Sequence, residues 1–163
     1  MINIKFAKVR PDAIIPSKRV EDMGYDIYAN FPDDFMVIHP NETRMIPTGI
    51  ASCCDSGYGF FLKERGSTGT KGLGQRAGVI DSGFRGEWFA PITNHNDVPV
   101  VITKNDSAKS VYGEGVIYYP YTKAIAQAVL IPVPETAVTE ISFEELQAIP
   151  SERGAGIIGS SNK

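Results

Sequence analysis

Along this chain, apolar residues recur at every second position. Ile2, Ile4 and Phe6 alternate with Asn3 and Lys5, and Tyr58, Phe60 and Leu62 alternate with Gly59, Phe61 and Lys63. A period of two puts alternate side chains on one face of an extended backbone, so both segments are expected as half-buried strands. Further β-like runs cover Arg44–Ala51, Glu87–Thr93, Val98–Thr103, Val116–Tyr119, Ile125–Val133 and Ala137–Ile141, each bounded by Gly, Pro, Asn or Asp. Many short strands at this spacing imply an all-β sandwich, barrel or jelly roll. One helical signal stands out at Ser142–Leu146, where Ser142 can cap and Glu145 can reach back, with room for a turn or two before Pro150. Lys104–Lys123 is loop-rich and is expected to hold an extra hairpin. Ser151–Lys163 is small, polar and glycine-rich, the composition of a mobile arm rather than a core element. The expected division is therefore a domain over 1–150 and an arm over 151–163.

Length and composition narrow the class. A chain of 163 residues with 42% hydrophobic content suits one compact domain. Sixteen Lys and Arg against nineteen Asp and Glu give a net charge of -3. No global basic field exists to attract long nucleic acid, so an anionic ligand must be held by local groups. The longest apolar run, around Ala128–Val133, falls far short of the ~20 residues of a membrane span. The first ten residues carry no apolar targeting segment, and a cytoplasmic chain is expected. Cys53 and Cys54 are neighbours, which disfavours a disulfide and lacks the spacing of a zinc site. Gly154–Gly159 satisfies a dinucleotide-binding pattern but has no following helix, and Gly66–Gly72 lacks the Ser or Thr that a phosphate loop places after its lysine.

Three segments combine glycine with charge in a way that turns alone do not require. They are Met23–Ile27, Glu64–Gly69 and Gly78–Glu87, with a fourth at Arg153–Gly156. Glycines let backbone N–H groups close on an anion while arginine supplies charge, so together these segments suit a phosphate site. Singly, each also fits a structural role: Asp26 as a turn acid, Arg65 as a solvated strand end, Asp81 as the start of a hairpin turn.

In order and spacing the segments resemble the five motifs of the trimeric deoxyuridine triphosphatase (dUTPase) family. The third, AGVIDSGFRGE at 77–87, is the most specific; the others are GYDIYA at 24–29, ERGSTG at 64–69, IAQ at 125–127 and RGAGIIGSS at 153–161. The resemblance implies a jelly-roll-like β-barrel subunit with one short helix and a flexible C-terminal arm. It further implies a homotrimer, with sites built from more than one chain, that hydrolyses dUTP to dUMP and pyrophosphate with Mg2+. Carried over, Asp81 is the base for the attacking water, a task suited to a carboxylate. Phe84 lies against the deoxyribose and excludes a 2′-hydroxyl, and backbone groups of a hairpin at 78–84, including Gly78 and Ile80, read the uracil. Arg65, Gly66, Ser67 and Gln127 contact the phosphates or the water. Arg153 clamps the γ-phosphate, Gly156, Ile158 and Ser160 belong to the closing arm, and Asp26 holds the metal through water.

The sequence also departs from the family pattern. Phe84 stands for tyrosine, Gly66 for a serine, Ala124 for an arginine and Ile158 for a phenylalanine, and Asn94–Gln127 is longer than the pattern. Two alternatives follow. A dCTP deaminase shares the fold, but the second arginine of its motif is Thr70 here. A regulatory relative would bind a protein partner through 104–123, whose Tyr112, Tyr118, Tyr119 and Tyr121 are expected to be exposed.

Overall fold

The computed structural model describes residues 2–152 and Gly154. Among these, twelve strands run in the order β1 (Ile4–Lys8), β2 (Gly24–Ile27), β3 (Phe35–Ile38), β4 (Thr43–Pro47), β5 (Ile50–Cys54), β6 (Tyr58–Lys63), β7 (Leu73–Gln75), β8 (Val79–Asp81), β9 (Phe89–Asn94), β10 (Val100–Thr103), β11 (Ile117–Pro120) and β12 (Ala126–Pro132). Three helices join them: α1 (Gly66–Gly69), α2 (Ser107–Tyr112) and α3 (Phe143–Ala148). The all-β expectation holds, with the ladders divided into four short sheets: β1-β5, β11-β10-β3, β2-β12-β6-β8 and β4-β9-β7. No helix among the described residues is long and apolar enough to cross a membrane.

Period-two alternation becomes burial as expected in β6, where Phe60 and Leu62 are buried and Phe61 and Lys63 face outward. Phe60 meets the fully buried Trp88 with ring centroids 5.2 Å apart, and Phe6 meets the same indole at 5.6 Å. Tilted and edge-on contacts of this kind add to the area such rings bury. The run Arg44–Ala51 is split in two. At Thr48 the backbone N–H and the hydroxyl both turn to the Trp88 carbonyl, at 3.2 and 2.7 Å, and the chain passes from the β9 ladder to the β1 ladder.

Other expectations need correction. Three helices form rather than one. The capping box at α3 is present, with Glu145 N–H donating to Ser142 Oγ at 3.1 Å and Ser142 N–H donating to Glu145 Oε2 at 2.8 Å. The additional α1 is one turn closed by the buried Thr68, whose hydroxyl exchanges bonds with the Arg65 backbone and leaves no apolar period to read. Ala137–Ile141 forms no strand: every residue from Pro132 to Glu152 is exposed, and no strand among the described residues pairs with it.

Residues 104–123 do not make a hairpin. β10 and β11 are parallel, in register from Val100↔Ile117 to Thr103↔Pro120, and α2 provides the crossover that a parallel pair needs. The expected exposure of its tyrosines is also overturned. Tyr119 is buried, Tyr112 packs edge-on against Phe35 at 5.7 Å, Tyr121 packs against Phe31 at 5.1 Å, and Tyr118 donates to the Gly113 carbonyl at 2.8 Å.

Candidate functional site

The β2-β12-β6-β8 sheet carries the predicted residues at two opposite corners. At the first, Asp26 on β2 lies across from Gln127 on β12, which lies across from Lys63 at the end of β6. The chain then turns into α1, placing Arg65 beside Asp26: Nε lies 2.9 Å from Oδ1 and Nη2 3.2 Å from Oδ2. Both side chains are about a third exposed (32% and 33%), so this fork opens on a cleft of about 610 Å³. Arg65 also donates to Ser67 Oγ at 3.4 Å. Gln127 donates its Nε2 hydrogen to the Glu64 carbonyl at 2.7 Å. A Cβ at Gly24 would stand 2.5 Å from Gln127 Oε1, so the glycine of the first motif is the bed on which that amide lies.

Glu64 fixes the approach to Arg65. Its Oε1 accepts the Gln75 N–H at 2.9 Å. Bonding from its own backbone amide first, then from that of Gln75, holds its carboxyl below the usual glutamate range against the opposing effect of burial. Gly66 stands in open space at the start of α1.

At the other corner, β8 is an edge strand, with Asp81 across from Gly59. Gly78 precedes it with φ +103°, and a Cβ there would lie 2.7 Å from Leu62 Cβ, so both conformation and space demand glycine. Ile80 is buried in the core and offers only its backbone, whereas Asp81 is exposed. The expected hairpin at 78–84 is instead an edge strand followed by a turn, because β8 pairs with β6 and the returning leg enters β9 of another sheet. Phe84 N–H donates to the Asp81 carbonyl at 3.1 Å to close the turn. The Phe84 ring folds over Gly86, 43% exposed, and lines a cleft of about 260 Å³ with Gly78 and Asp81. Arg85 ties the turn down by donating to the carbonyls of Ser82 and Phe84 at 2.6 and 3.0 Å. Glu87 accepts from Arg10 and from the Gly49 N–H, the latter at 2.9 Å.

The two corners do not meet within the chain. From the Asp26 row to the Asp81 row is four residues of β6, and from β2 to β8 is three strand spacings. At strand dimensions these are ~13 and ~14 Å, a diagonal of roughly 20 Å. Arg153, Gly156, Ile158 and Ser160 lie outside the described residues. Sequence reading did not assign a site role to Glu64, which uses both its carbonyl, toward Gln127, and its carboxylate, toward the Gln75 N–H, nor to Tyr119, read there as exposed.

No group of three or more His, Cys, Asp or Glu side chains able to hold a metal occurs among the described residues. Asp26 is a single carboxylate engaged by Arg65. That donor set suits Mg2+ only in its common mode, in which the ion keeps its waters and is carried mainly by substrate phosphates.

An arginine-carboxylate pair and an edge strand with an acid and a phenyl ring thus stand at opposite corners of one sheet of an all-β chain. The sequence model of the dUTPase family matches residues 10–108, and the chain belongs to that family. A deoxyuridine 5'-triphosphate nucleotidohydrolase of Gloeobacter violaceus is 34% identical over 143 residues, covering 86% of this chain and 82% of the relative. That of Nautilia profundicola is 30% identical, covering 99% of this chain and all of the relative, 100%. Among solved structures, a mutant Staphylococcus bacteriophage 80alpha dUTPase with dUpNHpp superposes with TM-score 0.73 at 23% identity, covering 98% of both chains. The dUTPase from phage phi11 of S. aureus gives 0.69 at 21% identity, covering 85% of this chain and 96% of its own. These structural neighbours share the jelly-roll-like fold of the present chain.

Proposed function

We propose that the protein hydrolyses dUTP to dUMP and pyrophosphate, as a homotrimer whose sites join the β8 corner of one chain to the Asp26–Arg65 corner of another. The observation that carries this reading is the β8 cleft, where an exposed carboxylate, a half-exposed phenyl ring and an unpaired strand edge adjoin. An edge strand offers N–H and C=O groups that match the alternating donors and acceptors of a pyrimidine rim. Phe84 fills the space beside the sugar that a 2′-hydroxyl would need. Family membership and the relatives named as nucleotidohydrolases of this substrate support the same reading.

In the reaction, Asp81 accepts a proton from water as the water oxygen bonds the α-phosphorus. The bond from that phosphorus to the bridging oxygen breaks, and pyrophosphate leaves with the electron pair. Arg65, Ser67 and Gln127 hold the phosphates and the water, as in-line phosphoryl chemistry depends on positioning and charge. Bound Mg2+ supplies Lewis-acid charge that gathers the triphosphate and offsets the charge of the leaving group. Asp26 would hold that ion through its bound water. Residues 151–163 form the closing arm beyond the 1–150 domain, with Arg153 on the γ-phosphate, Ile158 over the base, and Gly156 and Ser160 as further contacts. The separation of the two corners supports a site shared between chains, as in the proposed trimer. So does α3, whose Phe143, Leu146 and Ile149 are 65%, 54% and 57% exposed on their own chain and suit coverage by a neighbour. The tyrosines that suggested a protein partner through 104–123 are packed on this chain, and no observation favours that second reading.

The test measures pyrophosphate release from dUTP, dCTP, dTTP and UTP. Release from dUTP alone, lost in Asp81→Asn, is expected. Co-refolding Asp81→Asn with Arg65→Ala chains then restores about a quarter of parental activity if each site takes one corner from each of two chains. Turnover by Asp81→Asn within a few-fold of the parent removes Asp81 as base, and no rescue removes the shared site.

A further inference from the structure

We propose that Tyr119, on the inserted strand β11, is a positioning residue that sets Ser67 and through it Arg65 for the substrate phosphates. The proposal rests on the dUTP-hydrolysis reading above and deepens it. Tyr119 is 1% exposed, yet its hydroxyl reaches two groups. It lies 2.7 Å from the Ala124 carbonyl, which can only accept, so the phenol proton is committed there. The phenol oxygen then faces Ser67 Oγ at 3.3 Å with only lone pairs to offer, and Ser67 must donate. With its proton so directed, Ser67 presents lone pairs to Arg65 Nη1 at 3.4 Å, while the other side of the guanidinium is held by Asp26 at 2.9 and 3.2 Å.

A directional chain therefore runs Arg65 to Ser67 to Tyr119 to the Ala124 carbonyl, each group donating to the next. Its far end is the backbone of the residue that stands in the arginine position of the fourth motif. The long Asn94–Gln127 segment thus has an active-site consequence: the parallel β10–β11 pair delivers a buried phenol to the rear of the phosphate corner. A serine hydroxyl alone rotates freely, whereas one tied at its back to a rigid acceptor keeps one rotamer, and pre-set phosphate contacts lower the cost of binding.

Tyr119→Phe removes only the hydroxyl. It also takes the donor from the buried Ala124 carbonyl, so unfolding temperature falls whatever the role of Ser67. The discriminating measurement is the thermodynamic cycle with Ser67→Ala, read as kcat/KM for pyrophosphate release from dUTP on folded, Tm-checked proteins. Tyr119→Phe is expected to lower kcat/KM about fivefold in the parent, the weight of one hydrogen bond, and by under about twofold in the Ser67→Ala background. Ser67→Thr, which keeps a hydroxyl, should restore sensitivity to Tyr119→Phe. Equal losses with and without Ser67, or no loss in the parent, overturn the Tyr119 assignment while leaving the hydrolysis reading standing. A parent protein that releases no pyrophosphate from dUTP overturns that reading and the Tyr119 role with it.

Discussion

Replacing Gly24 by alanine separates catalysis from stability at the phosphate corner. The new Cβ would lie 2.5 Å from Gln127 Oε1, 3.0 Å from its Cβ and 3.2 Å from its Cδ. Gln127 Cβ is fixed by the β12 backbone, so the carboxamide must rotate away. Rotation breaks the 2.7 Å bond to the Glu64 carbonyl, a loss of about 0.5–1.5 kcal/mol. An off-rotamer side chain adds about 0.5–1.5 kcal/mol if the rotation is incomplete. Gly24 has no positive φ, so alanine also stabilises by about 0.4–1 kcal/mol through a less flexible unfolded chain. The net lies between about −0.5 and 2.6 kcal/mol, at most a fall of several degrees in Tm for a chain of this size. Activity should suffer more, because a charge-assisted contact worth about 1.5–3 kcal/mol is displaced, equivalent to roughly 10–100-fold in kcat/KM. The assay is steady-state hydrolysis beside thermal unfolding for Gly24→Ala, Gln127→Ala and the double variant. The double variant should be no worse than Gln127→Ala. Turnover of Gly24→Ala within twofold of the parent, or losses that multiply in the double variant, would refute the argument.

Two further predictions concern stability. Glu87→Ala leaves Arg10 and the Gly49 N–H without their shared acceptor, and with Arg10 34% exposed the cost is set at about 2–3 kcal/mol, a drop of roughly 5–10 °C in Tm by calorimetry. Glu64→Gln tests the pH dependence. The folded carboxyl of Glu64 is held below its ordinary value, so its contribution is present above about pH 4.3 and disappears as pH falls through the folded value. In urea titrations the variant should be less stable than the parent at pH 7, and the two should converge in acid; a constant difference down to pH 3 would contradict this.

The fold class was legible because the burial of β6 and β1 follows the alternation of Phe60 with Phe61 and of Phe6 with Lys5, a local signal. What escaped depended on partners distant in sequence. β8 reads as three residues of no evident pattern and is a strand because β6 lies beside it. The parallel β10–β11 pair was invisible because tyrosines serve an exposed surface and a packed one equally well, and only tertiary contact with Phe31 and Phe35 decides between them. Ala137–Ile141 shows the converse: its apolar residues pattern as a strand, but no strand among the described residues pairs with it. At the site, charge and glycine spacing marked Asp26, Arg65, Gly78 and Asp81, whereas their supports, such as the Glu64 carbonyl under Gln127 and the Ala124 carbonyl behind Tyr119, are backbone groups that the sequence does not distinguish.

Ladder register also limits how the site can work. A proton acceptor and the groups that hold a phosphate must converge on one phosphorus, within about 3 Å of the atoms they serve. Asp81 and Arg65 are tied to opposite ends of β6, and the pairing of β6 with β12 and β8 keeps them there. Closing a distance of roughly 20 Å inside one chain would require dissolving the central ladder, with the loss of its buried Phe60 and Leu62. Symmetry removes the conflict without deforming the sheet, because one chain can present the β8 corner while a second presents the Arg65 corner. On the proposed shared site, folding and catalysis separate: the buried cluster around Trp88 is built within a single chain, whereas Asp81 and Arg65 would meet only across two. Substitutions in the core should therefore act through stability, and those at the corners through assembly-dependent turnover.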